Sequence, residues 1–340
     1  MVELSIILPV YNVALYLERC IRSLEDQDLD SSRYEIIVVN DGSPDNSREV
    51  VIQLQHEFKN LILIDQENKG VSLARNAGMD RAQGNYLLFV DPDDFILPHT
   101  LSDALACAIE RNAHVAFLGY QFRDVDGNLV QEVLNPEQVG SLYAGVDAYP
   151  LSRGDGTLDP DRSVAVLYHR DFMNENHLRY ISDIPYLEDG EFLARVLCLA
   201  QRCIFAGKSF YVRTTRPGSA TNSSLFFSNR AIEGFVRAAI NLKKFQTQLD
   251  NNRQIVFLNQ PIVKFTLLSF QAFISKSFFF NLRNILRIKK RLKRAGMSIL
   301  SLEGCSSLYF YYGALYNRSL LFFYAAWMTR LAKERIRSKN

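Results

Sequence analysis

The sequence predicts an α/β fold, a mostly parallel sheet flanked by helices, followed by a C-terminal helical extension. Three observations predict it. Short, continuously apolar runs alternate with helix-period segments through the first hundred residues, the pattern of strands buried on both faces. Polar clusters follow three of those runs directly, at Pro9, Tyr11 and Asn12, at Asn40-Asp41-Gly42-Ser43 and at Asp91-Pro92-Asp93-Asp94. Charge and aromatic content then change beyond residue 222. In open sheets of this kind ligands sit beyond the carboxyl ends of the strands, so the three clusters are where chemistry is expected.

Each element follows from local pattern. Residues 4–8 (LSIIL) form a strand closed by Pro9, and residues 14–26 place Leu15, Leu17, Ile21 and Leu24 near helical spacing. Residues 36–39 (IIVV) are a second strand, after which Pro44, Asp45, Asn46 and Ser47 supply helix-start chemistry. Residues 61–64 are a third strand, 70–83 a helix and 86–90 (YLLFV) a fourth strand. Residues 115–120 read as a strand, Gly127-Asn128 as a hairpin turn, 192–199 as a helix and 211–213 as a strand end. Beyond Leu225 the only proline is Pro261, and phenylalanines recur among Lys and Arg, which reads as helices.

The chain has 340 residues, 48% of them hydrophobic and 22% charged, enough for two domains. We place these at 1–222 and 223–340. The net charge of +2 hides an asymmetry: residues 251–340 hold 16 basic residues and two acids, Glu303 and Glu334, against 23 basic and 35 acidic in residues 1–250. The five cysteines are scattered without a CxxC pair, so neither a disulfide framework nor a structural metal is expected. The N-terminus lacks a basic leader region, and no apolar run approaches the roughly 18 residues of a membrane span. A cytoplasmic protein is expected.

Asp91-Pro92-Asp93-Asp94 packs three carboxylates into four residues. They repel one another unless something positive binds, and a divalent cation with diphosphate oxygens is the natural partner. The competing reading is a solvated acidic turn with Asp94 capping a helix; position beside the other strand-end clusters favours the cation. Asp41 could accept from a base N–H or a ribose hydroxyl, or close an Asx-turn. Arg75, on a helix leading toward the acidic turn, could offset phosphate charge or hold a carboxylate, or lie on the surface. One acid of Glu188-Asp189-Gly190-Glu191 could act as a general base, or all could answer a helix macrodipole. The five histidines show no HxH or HExxH spacing, and neither GxGxxG nor GxxxxGK[ST] occurs. Histidine metal sites, a serine–histidine triad, dinucleotide and P-loop sites are thereby unsupported.

Taken in order, residues 5–12 (SIILPVYN), 36–43 (IIVVNDGS), 68–76 (NKGVSLARN), 84–94 (GNYLLFVDPDD), 188–192 (EDGEF) and 216–219 (RPGS) resemble the family 2 glycosyltransferases of GT-A fold. The likeness is to bacterial enzymes that build capsular, exopolysaccharide or lipopolysaccharide chains. The resemblance implies an inverting, metal-dependent transfer from a nucleotide-diphosphate sugar, by default UDP-linked, to a hydroxyl of a glycan or lipid-linked saccharide. It implies that Pro9, Tyr11 and Asn12 border the base and ribose, that Asp41 contacts the base and that Arg75 helps hold the nucleotide. Asp91-Pro92-Asp93 matches the family's DxD motif, with Asp91 toward ribose, Pro92 between, and Asp93 on Mn²⁺ or Mg²⁺. Asp189 matches the catalytic base, and Arg216 and Ser219 occupy a segment that closes over the diphosphate. That segment lacks the histidine some relatives carry, which leaves the metal's full ligand set open.

Aromatic bulk beside the basic residues of 275–340 suits helices lying on an anionic membrane surface, on the inner face of the cytoplasmic membrane; a solvated basic face on a helical bundle is the competing reading. No nucleic-acid motif accompanies it, and no nucleic-acid partner is expected. The rival functions are a sugar-nucleotide pyrophosphorylase, which lacks here its glycine- and arginine-rich loop after the first strand, and a non-catalytic sugar-nucleotide binder or membrane scaffold.

Overall fold

A computed structural model describes residues 1–152, 163–184, 188–214, 228–271 and 278–337. The chain divides into two compact units, Met1–Ser182 with Leu199–Ser219, and Asp183–Cys198 with Ala220–Asn340. Residues 183–198, which carry the second acidic cluster, thus cluster with the helical part. A composition shift marks where residue usage changes and carries no sign of one helix joining another unit.

In the first unit β1 (Leu4–Val10), α1 (Ala14–Glu25), β2 (Tyr34–Asp41), α2 (Ser47–Leu54), β3 (Leu61–Gln66), α3 (Val71–Arg81) and β4 (Tyr86–Phe89) follow in order. The four strands lie as β3-β2-β1-β4, all parallel. Both β1 and β2 are buried at every position, the reason residues 6–8 and 36–39 at their middles are apolar without a break. β1 continues through Pro9 instead of stopping there. Its pairing with β4 has ended by Ile7↔Phe89, so the missing N–H costs no ladder bond on that side. On α1 the buried stripe is Leu17, Cys20, Ile21 and Leu24, an i, i+3, i+4, i+7 set, whereas Leu15 falls off it and is 92% exposed.

The rest of the sheet is mixed. β5 (Phe95–Ile96) and α4 (Leu101–Glu110) follow the acidic turn, then β6 (Val115–Arg123), β7 (Leu129–Val133), α5 (Gly145–Leu151), β8 (Val166–His169) and α6 (Arg170–Glu175). After α7 (Glu188–Leu199) of the second unit comes β9 (Cys203–Thr214). β8 enters antiparallel between β4 and β6, β9 lies parallel to β6, and β5 pairs antiparallel with β9. The β6–β7 hairpin turns at Gly127, whose φ of +84° suits glycine, and the Asp124 carboxylate accepts from the N–H groups of Asp126 and Asn128.

At the end of the sheet away from the polar clusters, a buried stitch sets the register. The Ser5 hydroxyl donates to Glu35 Oε1 at 2.6 Å and accepts from Gly84 N–H at 2.8 Å, while Gln83 N–H donates to the same Glu35 oxygen at 2.6 Å. One hydroxyl and one carboxylate therefore join β1, β2 and the approach to β4.

The second unit is helical in its described residues. α8 (Asn229–Gln246) and α9 (Asn252–Gln271) run antiparallel across a short connection, with Phe235 stacked on Phe265 at 6.4 Å and Gln246 donating to Asn259 at 2.9 Å. Gln254 on α9 donates to the Cys198 carbonyl at 2.9 Å, tying down the end of α7. α10 (Phe278–Arg294) turns Ile285, Ile288 and Leu292 inward, and its Arg291 pairs with Glu233 on α8. α11 (Ser307–Arg318) and α12 (Leu320–Arg337) join through Tyr312, whose ring meets Trp327 edge-on at 4.8 Å. Among the described residues no helix is long and apolar enough to cross a membrane. All five cysteines are free.

Candidate functional site

The strand order puts the ends of β2, β1 and β4 side by side, and side chains bind the loops leaving them into one surface. Asn12, left-handed at φ 55°, donates its N–H to the Ser43 hydroxyl at 3.3 Å. Val13 N–H donates to Ser47 Oγ at 3.3 Å, and Ala14 N–H donates to Asp45 Oδ2 at 2.9 Å. The loop after β1 is thus capped by the loop after β2. Pro9 is buried at this edge and Tyr11 stands half exposed. Gly42 has φ +66°, and a Cβ there would come 2.9 Å from the backbone nitrogen of Asn68. Only glycine lets these two loops approach so closely.

Asp41 is 3% exposed. Its Oδ1 accepts from Gln66 Nε2 at 2.7 Å and Lys69 N–H at 2.8 Å, and its Oδ2 accepts from Gly70 N–H at 2.8 Å. The carboxylate therefore shapes the approach to α3, and no bond within its own turn employs it, as an Asx-turn would. Arg75 is not a surface residue. It is 3% exposed, its Nη2 donates to Asp91 Oδ1 at 3.1 Å, and its guanidinium lies 5.0 Å from the ring centroid of Tyr180. Tyr180 is held in turn by Asn76, which exchanges two hydrogen bonds with its backbone at 2.8 and 2.9 Å.

The acidic turn is built as a braced platform. Pro92 and Asp94 are buried, and Asp91 and Asp93 are half-buried. Asp94 Oδ2 accepts from the Tyr211 hydroxyl at 2.7 Å and Oδ1 from Thr214 N–H at 2.9 Å. The Tyr211 oxygen also accepts from Asp91 N–H at 3.1 Å. The Asp93 carbonyl accepts from Thr214 Oγ1 and from Arg19 Nη2, each at 2.7 Å. Asp94 caps no helix; the chain runs from it into β5. Burial first, then the charges of Asp91 and Asp93, push the Asp94 carboxyl up to about 8. The turn's other carboxylates thus act on Asp94 at close range. Arg213 feels the turn too: burial works against its charge, but Asp94 and Asp91 raise its pKa overall.

This donor set is all oxygen and suits a hard cation. Among the described residues no three His, Cys, Asp or Glu side chains converge as a ready-made cage. The turn can therefore offer one or two carboxylates and leave the remaining positions to ligand oxygens and water, the usual arrangement for a cation bound with a phosphate. Asp189 lies half-buried in the first turn of α7 with Glu188 and Glu191. Glu191 is fully buried and pairs bidentately with Arg195 at 2.7 and 2.8 Å, which closes it to other work. Burial raises its pKa while Arg195 opposes the rise. All three acids sit in the first turn of α7, where the helix dipole favours negative charge. Arg216 and Ser219 lie outside the described residues.

The structure brings Pro9, Tyr11, Asn12 and Asp41, and separately Arg75 and Asp91, into register at one sheet edge. Sequence reasoning missed Tyr211, Thr214, Arg19 and Tyr180. Tyr211 and Thr214 flank the predicted strand end just before Arg216, a usable signal, whereas Arg19 and Tyr180 carry none.

Residues 5–162 match the family described as Glycosyl transferase family 2. Over 222 residues the chain is 31% identical to Glycosyltransferase GlyA of Streptococcus pneumoniae serotype 4, covering 64% of this chain and 31% of that protein. Over 226 residues it is 26% identical to the poly(ribitol-phosphate) beta-N-acetylglucosaminyltransferase TarS of Staphylococcus aureus, covering 66% of this chain and 38% of that protein. The chain therefore spans about a third of the length of these curated relatives. The crystal structure of S. aureus TarS 1-349 in complex with UDP-GlcNAc superposes with a TM-score of 0.67 at 22% identity, covering 86% of this chain and 81% of that one, a likeness of fold.

Proposed function

We propose, from the premise that this chain belongs to glycosyl transferase family 2 through residues 5–162, that it transfers a sugar from a nucleoside-diphosphate sugar to a hydroxyl of a glycan or lipid-linked saccharide in bacterial surface polysaccharide synthesis. The observation that carries this reading is the braced acidic turn with buried Arg75 bonded to Asp91 beside the joined ends of β1 and β2. A pyrophosphorylase is disfavoured because Val10-Tyr11-Asn12-Val13 stands where its glycine- and arginine-rich loop would follow the first strand. A UDP-linked donor is supported by the UDP-GlcNAc complex of TarS, whose fold this chain shares.

In this reading Pro9, Tyr11, Asn12 and Asp41 receive the base and ribose. Asp91, oriented by Arg75, faces the ribose, with Pro92 rigidifying the turn between the two working carboxylates. Asp93 would hold Mn²⁺ or Mg²⁺, which would offset the charge growing on the leaving diphosphate. Asp189 accepts the proton of the acceptor hydroxyl as that oxygen attacks the anomeric carbon from the face opposite the nucleotide. A single displacement inverts the configuration. Arg216 and Ser219 contact the diphosphate. The acceptor is met on the inner face of the cytoplasmic membrane, to which the basic region 275–340 draws the protein.

The test is nucleotide release from a panel of nucleoside-diphosphate sugars with oligosaccharide acceptors, for the full chain and for Asp93→Ala and Asp189→Ala. A positioned general base is worth about a hundred- to ten-thousand-fold, so Asp189→Ala should lose at least that while still binding UDP. No turnover with any donor, or turnover equal in all three proteins, would exclude this reading.

A further inference from the structure

We infer that the outward face of α10 is a docking surface for an anionic lipid bilayer. It refines the membrane association proposed above but does not depend on the chemistry assigned to the first unit. Burial of Ile285, Ile288 and Leu292, together with the Arg291–Glu233 pair at 2.6 and 2.9 Å, fixes which side of the helix faces its neighbours. At about 100° per residue, the opposite side carries Arg283, Leu286, Arg287, Lys290 and Arg294, with Leu282 beside them. All six are exposed, the two leucines at 41% and 56%.

A merely solvated helix face mixes signs and gains from i, i+4 pairs. Here residues 251–302 contain no acid, and among the described residues no carboxylate pairs with Arg283, Arg287, Lys290 or Arg294. Arg283 and Arg287, and Lys290 and Arg294, are like charges four residues apart, which destabilises the helix until something negative arrives. A soluble polyanion would answer those charges and leave Leu282 and Leu286 in water. A bilayer answers both, its phosphate layer meeting the cations and its acyl boundary the leucines. The 17-residue helix lies flat over about 25 Å of such a surface.

The full chain is floated with vesicles of phosphatidylcholine containing one third phosphatidylglycerol, and with phosphatidylcholine alone. Recovery is expected with the first and not the second, falling as salt rises. Each basic residue near an anionic surface strengthens binding about fivefold, so combining Arg287→Glu, Lys290→Glu and Arg294→Glu should lower partitioning at least about a hundredfold. Leu282→Ser with Leu286→Ser should lower it roughly tenfold or more. Both variants should keep the circular dichroism of the parent and its rate of nucleotide release from soluble donor. The dock is overturned if the parent fails to float with anionic vesicles. It is also overturned if the serine variant floats as well as the parent while soluble polyphosphate strips both, which would mark a polyanion site. Flotation that survives in a protein releasing no nucleotide would remove the transferase reading and leave the dock standing.

Discussion

Arg75 and Asp91 meet at 3.1 Å with unequal exposure: the arginine side chain is 4% exposed and the carboxylate 36%. A buried guanidinium needs a counter-charge and a flat partner, and Asp91 and the Tyr180 ring provide them. The half-open carboxylate keeps one edge toward solvent, so a fixed cation orients an acid that a ligand can still reach.

Replacing Arg75 by Met should therefore damage binding more than folding. Asp91 can hydrate once alone, so stability should fall by only about 1–2 kcal/mol in urea titrations. Titration calorimetry with UDP should show a ten- to hundredfold weaker Kd, the value of a charge-assisted bond. Arg75→Lys keeps the charge but loses the planar contact with Tyr180 and should fall between. Unchanged UDP affinity in the Met variant would separate this pair from the site.

Tyr211→Phe removes one hydroxyl that serves two partners. Asp94 Oδ2 loses its donor and Asp91 N–H its acceptor. With both groups buried or partly buried, about 1–3 kcal/mol should be lost, and UDP binding should weaken with it. A urea midpoint equal to the parent's would mean that the acidic turn does not rely on β9.

His114 stacks on Phe172 at 4.3 Å and accepts from Gln201 N–H. Burial first, then the charges of Arg202 and His169, bring its pKa down to about 4 from 6.5. The unfolded chain then binds a proton that the folded one does not, so stability is intact above pH 6.5 and is lost as pH falls toward 4. The ring is only partly buried, which reduces the effect to ~1–2 kcal/mol. His114→Asn, which retains an acceptor, should flatten the melting temperature between pH 7 and 4.5; an equal slope in both proteins would exclude the mechanism.

Glu233 joins Arg291 of α10 and Arg237 of its own helix, and hydrogen bonding to Arg291 first among the causes lowers its pKa. Its contribution is present above the ordinary carboxylate range and lost as pH falls below it. Glu233→Gln should release α10, seen as faster proteolysis within 283–294, with a stability loss of about 1 kcal/mol because the groups are a third exposed. Unaltered cleavage would show that the three buried apolar residues hold the helix unaided.

The alternation of apolar runs with helices was enough to reveal β1 to β4, because strands inside a sheet keep apolar side chains through their middles, and the buried polar pair Ser5 and Glu35 bond to each other. Their polar ends were legible for the same reason, and so were Asn40, Asp41 and the acidic turn. β8 was not: four residues pair antiparallel with strands far away in sequence, and no local pattern encodes that. The burial of Arg75 was equally illegible, since its justification, Tyr180, lies over a hundred positions downstream. Leu15 misled because proximity to a helical period is not membership of its buried stripe. The helical character of the C-terminal region followed from the loss of proline and the recurring aromatics, while the pairing of Arg291 with Glu233 required the structure.

Asp41 gives both its oxygens to the chain itself, so the passage leading into α3 takes its shape from bonds within the fold. A ligand of the kind proposed above would meet a surface that has already surrendered its freedom. Its binding would be governed by water leaving, with little disorder to be frozen out at that moment.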